Sequence, residues 1–502
     1  MTVRWDAIID GRRVSGDGCF VVHEPATGEA LAEVASCGVK EMDDAVQAAE
    51  RAFRTQWRLR TARERGHLLL RVADAIRDHA DELGRLETRE TGKPLDQAVN
   101  FDVASAADAF TLYGGISETL VGEVVPQGPI LSYTLPEPYG VVGVILPFNW
   151  PPIHLAVKIA PALAAGNTVV VKPAEQAPLT VLRMVELIND VLPPGVVNAV
   201  PGLGPNAGTA LVGNARVGKV TFTGSTVTGR AVLHAAADNL TPAVLELGGK
   251  NPLLVFDDAD LDLAVTGAVE GMFFNQGEAC TAASRILVQE SVMNEFLERF
   301  GPAVARLRVG DGLDDATDVG PMVTRAQQER VLGYLRVAEE EGARVLARAS
   351  LPRDPRLDGG FFVAPTVLVD VTPNMRIAQE EIFGPVTVVI PFVDEAEALE
   401  LANGTQFGLV AAVYTADMDR AQRLARLIEV GVVFLNNYNR GFLGTPFGGV
   451  RASGYGREQA IGTIQEFSRA KSVRLPSGIG KSPVWRAAER VTTAVSTTEE
   501  ES

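Results

Sequence analysis

The chain has 502 residues, 46% hydrophobic and 22% charged, which suits a multi-domain enzyme with a large core. Lys and Arg total 46 against 63 Asp and Glu, a formal charge of −17, which repels phosphate backbones and sets nucleic acid aside as a partner. Cys19, Cys37 and Cys280 are widely spaced and the five histidines form no HxH or HxxxH pair, so neither a disulfide framework nor a metal site is expected.

The opening MTVRWDAIIDGRR has no apolar signal core, and no long apolar run follows. No membrane segment is expected, and a reducing cytoplasm is the expected compartment. Residues 41–112 carry Ala, Arg and Glu at helical spacing, whereas 119–138 read as a strand pair. From residue 139 short β-branched runs alternate with amphipathic stretches, the signature of βαβ units on a parallel sheet. The strand-like runs are 140–145, 168–172, 196–200, 219–223 and 243–247, with helical runs at 153–165, 178–191, 206–213 and 226–237. A second series, 251–256, 284–289, 386–392, 409–415 and 430–436, is separated by helical runs at 291–306, 324–342, 394–402 and 417–428. Two α/β lobes meeting near Gly248–Pro252 are expected, and 476–502 loses periodicity.

Several motifs sit at strand ends, each with a bland reading beside the chemical one. GLGPNAG (202–208) lacks dinucleotide-loop spacing and reads as a structural turn. In TFTGSTVTG (221–229), Gly224 turns the chain and Ser225 opens a helix whose N–H groups suit a pyrophosphate; the alternative is an ordinary N-cap. Lys172 and Glu175 in KPAEQ can grip a ribose diol or simply pair on the surface. Cys280 in FNQGEACTA is flanked by small residues; opening a helix would stabilise its thiolate, and the alternative is an inert buried thiol. Glu246 in VLELGGKNP lies among apolar residues that raise a carboxyl pKa towards general-base range; the alternative is a solvated turn. Asn149 in LPFNWPP offers an oxyanion donor or a plain turn. No GxSxG or GxxxxGK[ST] occurs, which excludes a hydrolase elbow and a Walker loop.

Together these blocks, with EEIFGPV (380–386) and PFGGVRASGYGRE (446–458), follow one another as in the NAD(P)-dependent aldehyde dehydrogenase superfamily, which the chain resembles from PATGE (25–29) to about Leu475. The resemblance implies a Rossmann-like NAD-binding domain (1–118 and 139–249), an α/β catalytic domain (250–467), an oligomerisation β-layer (119–138 and 468–480) and a tail (481–502). It implies Cys280 as nucleophile, Asn149 as oxyanion donor, Glu246 as the base for hydrolysis and Lys158 as a buried lysine assisting them. Lys172 and Glu175 would hold the adenosine ribose, and Gly224 and Ser225 the pyrophosphate. Glu381 would hold the nicotinamide ribose, with Phe383 and Phe148 packing nearby. Glu175 favours NAD over NADP, because a 2′-phosphate would face its carboxylate, with NADP as the lesser alternative since a carboxylate can rotate away.

Two departures stand out. Phe148 replaces a Trp common in relatives, and Val227 replaces a Glu. By position the substrate channel comprises Trp150, His154, Val157, Phe274, Thr281, Phe442 and Phe447, an apolar lining that implies an uncharged aromatic or medium-chain aldehyde. Arg440 leaves a carboxylated semialdehyde as an alternative, and a catalytically silent aldehyde- or nucleotide-binding protein is a second. A homodimer or homotetramer is implied.

Overall fold

The computed structural model describes residues 3–438 and 443–496, so Arg440 and Phe442 lie outside the described residues. Two large sheets dominate. The first runs in the order Gly454–Tyr455, Ala243–Glu246, Val217–Thr223, Val141–Ile145, Thr168–Lys172, Val197–Ala199, Ala7–Ile9 and Arg12–Val14. Its five middle strands are parallel, and the outer pairings are antiparallel. The second runs Arg344–Arg348, Thr366–Val369, Val386–Phe392, Arg285–Gln289, Pro252–Val255, Val410–Tyr414 and Val432–Leu435, parallel except at its first strand.

The strands are continuous apolar runs because both faces are covered. Val142, Val144, Val169 and Val171 pack on one side of the first sheet, against the helices Ala62–Asp78, Ala104–Gly115 and Pro151–Ala164. Val141, Ile145, Val170 and Val220 pack on the other, against Val39–Thr55. The second sheet divides in the same way, Leu253, Val255, Ile286 and Val288 on one face and Leu254, Leu287, Val388 and Ile390 on the other. This is the α/β fold class expected.

Residues 119–138 form an antiparallel pair, Val124–Gln127 with Ile130–Pro138, extended by Ser468–Pro476. Two features escaped the periodicity. The helix Leu261–Phe273 is apolar around much of its surface, and its start is marked only by Asp260, which accepts from the backbone N–H of Asp262 and Leu263. A small sheet, Val3–Trp5, Ala30–Ser36 and Gly18–His23, lies ahead of the first helix. Among the described residues no helix is long and apolar enough to cross a membrane, and no Cys, His, Asp or Glu cluster could hold a metal.

Asn167 joins the first sheet to the C-terminal segment. Its side chain accepts from Gly140 N–H (3.1 Å) and donates to the carbonyls of Ala162 (3.0 Å) and Phe467 (2.8 Å), and it is fully buried. Asn167→Ala removes all three bonds, although the Ala162 carbonyl keeps the backbone N–H of residue 167, and is expected to cost about 2–4 kcal/mol. The check is the urea midpoint, which falls with an unchanged m-value.

Candidate active site

Parallel sheets gather their loops at the carboxyl ends of the strands. Val141–Ile145 leads into Phe148 and Asn149, Thr168–Lys172 ends on Lys172, Val217–Thr223 leads into Gly224 and Ser225, and Ala243–Glu246 ends on Glu246. These strand ends line one edge of a cleft of about 630 Å³, together with Cys280, Glu381 and Phe383; at the last of them the lining residues are Leu247 and Gly248, just past Glu246.

Lys172 Nζ donates to Glu175 Oε2 (2.8 Å) at its wall. Ser225 caps the helix Thr226–Ala237, its hydroxyl accepting from Thr228 N–H (3.2 Å). Phe148 and Phe383 meet edge to face with centroids 5.7 Å apart. Phe383 holds φ 63, an uncommon left-handed conformation for an aromatic residue. The GLGPNAG turn does more than connect: Gly204, Pro205 and Gly208 also line the cleft.

Cys280 does not open a helix. It lies in an irregular stretch between the short helix Phe274–Gly277 and the strand Arg285–Gln289. Asn275 and Gln276 take left-handed φ values of 51 and 46, and Gly277 of 70, so the chain turns away before a helix can form there. Asn251 fixes this stretch, its amide donating to the carbonyls of Cys280 (2.8 Å) and Ala282 (2.9 Å). A Cβ on Gly249 would lie 2.6 Å from the Cys280 carbonyl, so only glycine lets these segments approach. A Cβ on Gly248 would collide with the Glu381 carboxylate, whose Oε1 accepts from Gly249 N–H (2.9 Å).

The Asn149 side chain donates to the Glu278 carbonyl (3.0 Å), which leaves its second amide N–H uncommitted. The Asn149 backbone carbonyl accepts from Lys93 Nζ (2.9 Å) and Asn275 Nδ2 (3.0 Å). Lys93 is fully buried and pairs with Glu87 (2.8 Å) and Asp102. Asn149 is therefore held from two sides of the sequence: by Asn275 and Glu278 of the cysteine stretch, and by Lys93, in the turn after the helix Ala80–Thr91, where sequence reading found only helical spacing.

Burial and the charges of Glu381 and Glu246 push the Cys280 thiol up, against the backbone N–H groups of Cys280 and Thr281. Burial, then the Glu458 charge, holds Glu246 well above its ordinary 4.5, with Lys158 and Arg457 opposing. Neither Glu246 oxygen has a hydrogen-bond partner among the described residues. Lys158 is bound to Glu458 and to Thr221 Oγ1 (3.1 Å), and it reaches Glu246 through its charge. Glu458 was missed as a site residue, although it ends a quoted block. Burial pushes the Glu381 carboxyl up to about 7.

A second cavity, of about 50 Å³, is also lined by Cys280. Of the expected channel residues, Trp150, His154, Val157, Thr281 and Phe447 line it. Phe274 is not among the lining residues; it meets Phe101, which is, edge to face (5.3 Å). Phe442 lies outside the described residues.

The sequence profile described as the aldehyde dehydrogenase family matches residues 13–473. The aldehyde dehydrogenase citD of Monascus ruber is 50% identical over 93% of each chain. Retinaldehyde dehydrogenase 3 of Mus musculus is 43% identical over 91% of this chain and 89% of its own. Among solved structures, PnpE in complex with nicotinamide adenine dinucleotide superposes with a TM-score of 0.93 at 42% identity, covering 95% of this chain and 99% of that one. The NAD+ complex of aldehyde dehydrogenase from Bacillus cereus gives 0.92 at 38%, covering 94% and 97%. With its strands, its cysteine stretch and its sequence all in agreement, the chain belongs to the aldehyde dehydrogenase family.

Proposed function

We propose that this enzyme oxidises an uncharged aldehyde, aromatic or medium-chain aliphatic, to the carboxylic acid with NAD. The observation that carries this reading is the position of Cys280, which borders both the long cleft and the small cavity. A cofactor on one side and an aldehyde on the other would both reach its sulfur. Glu246 and Asn149 come from the same sheet edge, and Lys158 from the helix Pro151–Ala164 that follows Asn149.

The cleft fits a dinucleotide. Lys172 and Glu175 would take the adenosine ribose, and Gly224 and Ser225 the pyrophosphate at a helix start. Glu381, Phe383 and Phe148 would take the nicotinamide end. The gap left by the missing Gly248 side chain supports this, because it lets Glu381 stand at the wall. Glu175 disfavours the extra phosphate of NADP. When bound, NAD supplies the hydride acceptor.

The protein's own groups perform the rest. The Cys280 thiol gives its proton to solvent water, and the sulfur adds to the aldehyde carbon while the carbonyl pair moves onto oxygen. The free N–H of Asn149 and the backbone N–H of Cys280 stabilise that oxyanion. Loss of hydride re-forms the carbonyl as a thioester. Glu246 then takes a proton from water, hydroxide adds, and the C–S bond breaks to release the acid. Lys158, held by Glu458, tunes the charge that Glu246 bears.

In this reading 1–118 and 139–249 hold the cofactor, 250–467 carry the thiol, and 119–138 with 468–480 join subunits. The semialdehyde alternative rests on Arg440, and no Lys or Arg is among the described residues lining the small cavity. The chemical residues argue against the silent-binder alternative.

Mixing the protein with NAD and an aldehyde panel should produce NADH; no turnover with any aldehyde refutes the reading. Cys280→Ala should abolish it. Glu246→Gln should accumulate an acyl adduct on Cys280, seen by intact-mass spectrometry.

Because the working form of Glu246 is ionised and its pKa is raised, hydrolysis should slow as pH falls through the raised value. Single-turnover hydrolysis of the acyl-enzyme should therefore fall about tenfold per pH unit below it. A midpoint near 4.5 would contradict this.

Ser468–Pro476 is the edge of its sheet, exposed along much of its length. Open edges are normally paired, which supports a homodimer or homotetramer. Sedimentation velocity should show no monomer at micromolar concentration.

A further inference from the structure

The small cavity is apolar in outline but not in all its atoms. His154 is 8% exposed, and neither ring nitrogen has a hydrogen-bond partner among the described residues. Trp150 Nε1 and Thr281 Oγ1 are likewise buried and unpartnered. All three residues line this cavity beside Cys280. Buried polar atoms are nearly always paired in folded proteins, and each one left unpaired costs about 1–3 kcal/mol. Three such residues around one cavity therefore describe a binding surface whose partner arrives with the ligand.

The imidazole fits this role. Burial, then the charges of Lys158 and Lys93, holds its pKa well below the ordinary value, so the ring is neutral. A neutral imidazole offers one donor and one acceptor, the Trp150 indole offers a donor, and a hydroxyl does both. Around these atoms Phe101, Trp150 and Phe447 supply flat aromatic wall, and Ile153, Val157 and Leu443 aliphatic wall. A carboxylate would find no cation among the described lining residues.

The geometry points to an aromatic aldehyde that carries a neutral hydroxyl on its ring, received by His154 with Trp150 and Thr281 beside it. This rests on the proposed aldehyde oxidation and narrows its substrate class. An unsubstituted ring would leave these polar atoms unpaired. A ring bearing a methyl at the same position would fill the same space and still leave them unpaired.

The test compares kcat/KM for 2-, 3- and 4-hydroxybenzaldehyde with that of the methyl counterpart at each position. A pH of about 6.5 keeps the phenols protonated. At one position at least, the hydroxyl compound should be favoured about 10–100-fold. In His154→Leu that ratio should fall towards one, and in His154→Gln, which keeps a donor and an acceptor, it should partly return. Ratios below about two at all three positions in the unaltered enzyme would overturn the inference, even if a substituted variant failed to fold. An undiminished ratio in folded His154→Leu would overturn the assignment to His154. Failure of every aldehyde to yield NADH would instead sink the underlying reaction, which keeps the two failures apart.

Discussion

Two glycines between the sheets govern the geometry of this site. Gly248 and Gly249 follow Glu246, the last residue of a strand in the first sheet, and precede Pro252, the first residue of a strand in the second. Without side chains there, the Glu381 carboxylate and the Cys280 carbonyl both approach the backbone. Asn251, two residues on, ties the cysteine stretch down from the same segment and accepts from Val410 N–H (3.2 Å). One short run thus sets where the thiol, the candidate base and the candidate ribose ligand stand relative to one another. A stretch with left-handed residues such as Asn275 and Gln276 persists only where its surroundings over-determine it, and here they do.

Charge burial is the second theme. Lys93 with Glu87 and Asp102, and Lys158 with Glu458, place ammonium and carboxylate groups in the interior on both sides of Asn149 and Glu246. Buried pairs contribute little net stability, and removing one partner is costly. Here each lysine does something a hydrophobic replacement could not. Lys93 grips the backbone carbonyl of Asn149, and Lys158 offsets the repulsion that Glu458 imposes on Glu246. Glu278 makes a related contribution from beside the thiol. Burial pushes its carboxyl up to about 8, and it accepts from Val323 N–H (3.2 Å). A site of this kind holds weak acids near neutrality by withholding water from them.

Much of the fold was legible because both sheets are covered on both faces. That makes Thr168–Lys172 or Val386–Phe392 a continuous β-branched run that no helix pattern imitates. Leu261–Phe273 was not legible for a different reason: its exposed face is narrow, Asp262, Thr266 and Glu270 with the apolar Leu263 among them, and the rest of the helix is apolar. The site residues at strand ends could be read because turn residues mark them, as Pro147, Gly224 and Gly248 do. Lys93, Asp102 and Phe101 could not, since a charged or aromatic residue in a helical stretch gives no sign of which distant loop it will touch.

The sequence by itself determined the α/β class, the strand ends, the family, and a cysteine, a glutamate and an asparagine in settings suited to chemistry, all of which depend on local residue type and order. Only the tertiary structure decided that Cys280 sits in an irregular stretch rather than at a helix start, that Lys158 binds Glu458, and that Phe274 packs on Phe101. It also left the nitrogens of His154 without partners beside the thiol. Those facts depend on which surfaces meet across hundreds of residues, and on how far water is excluded where they meet, neither of which is written in any local stretch of chain.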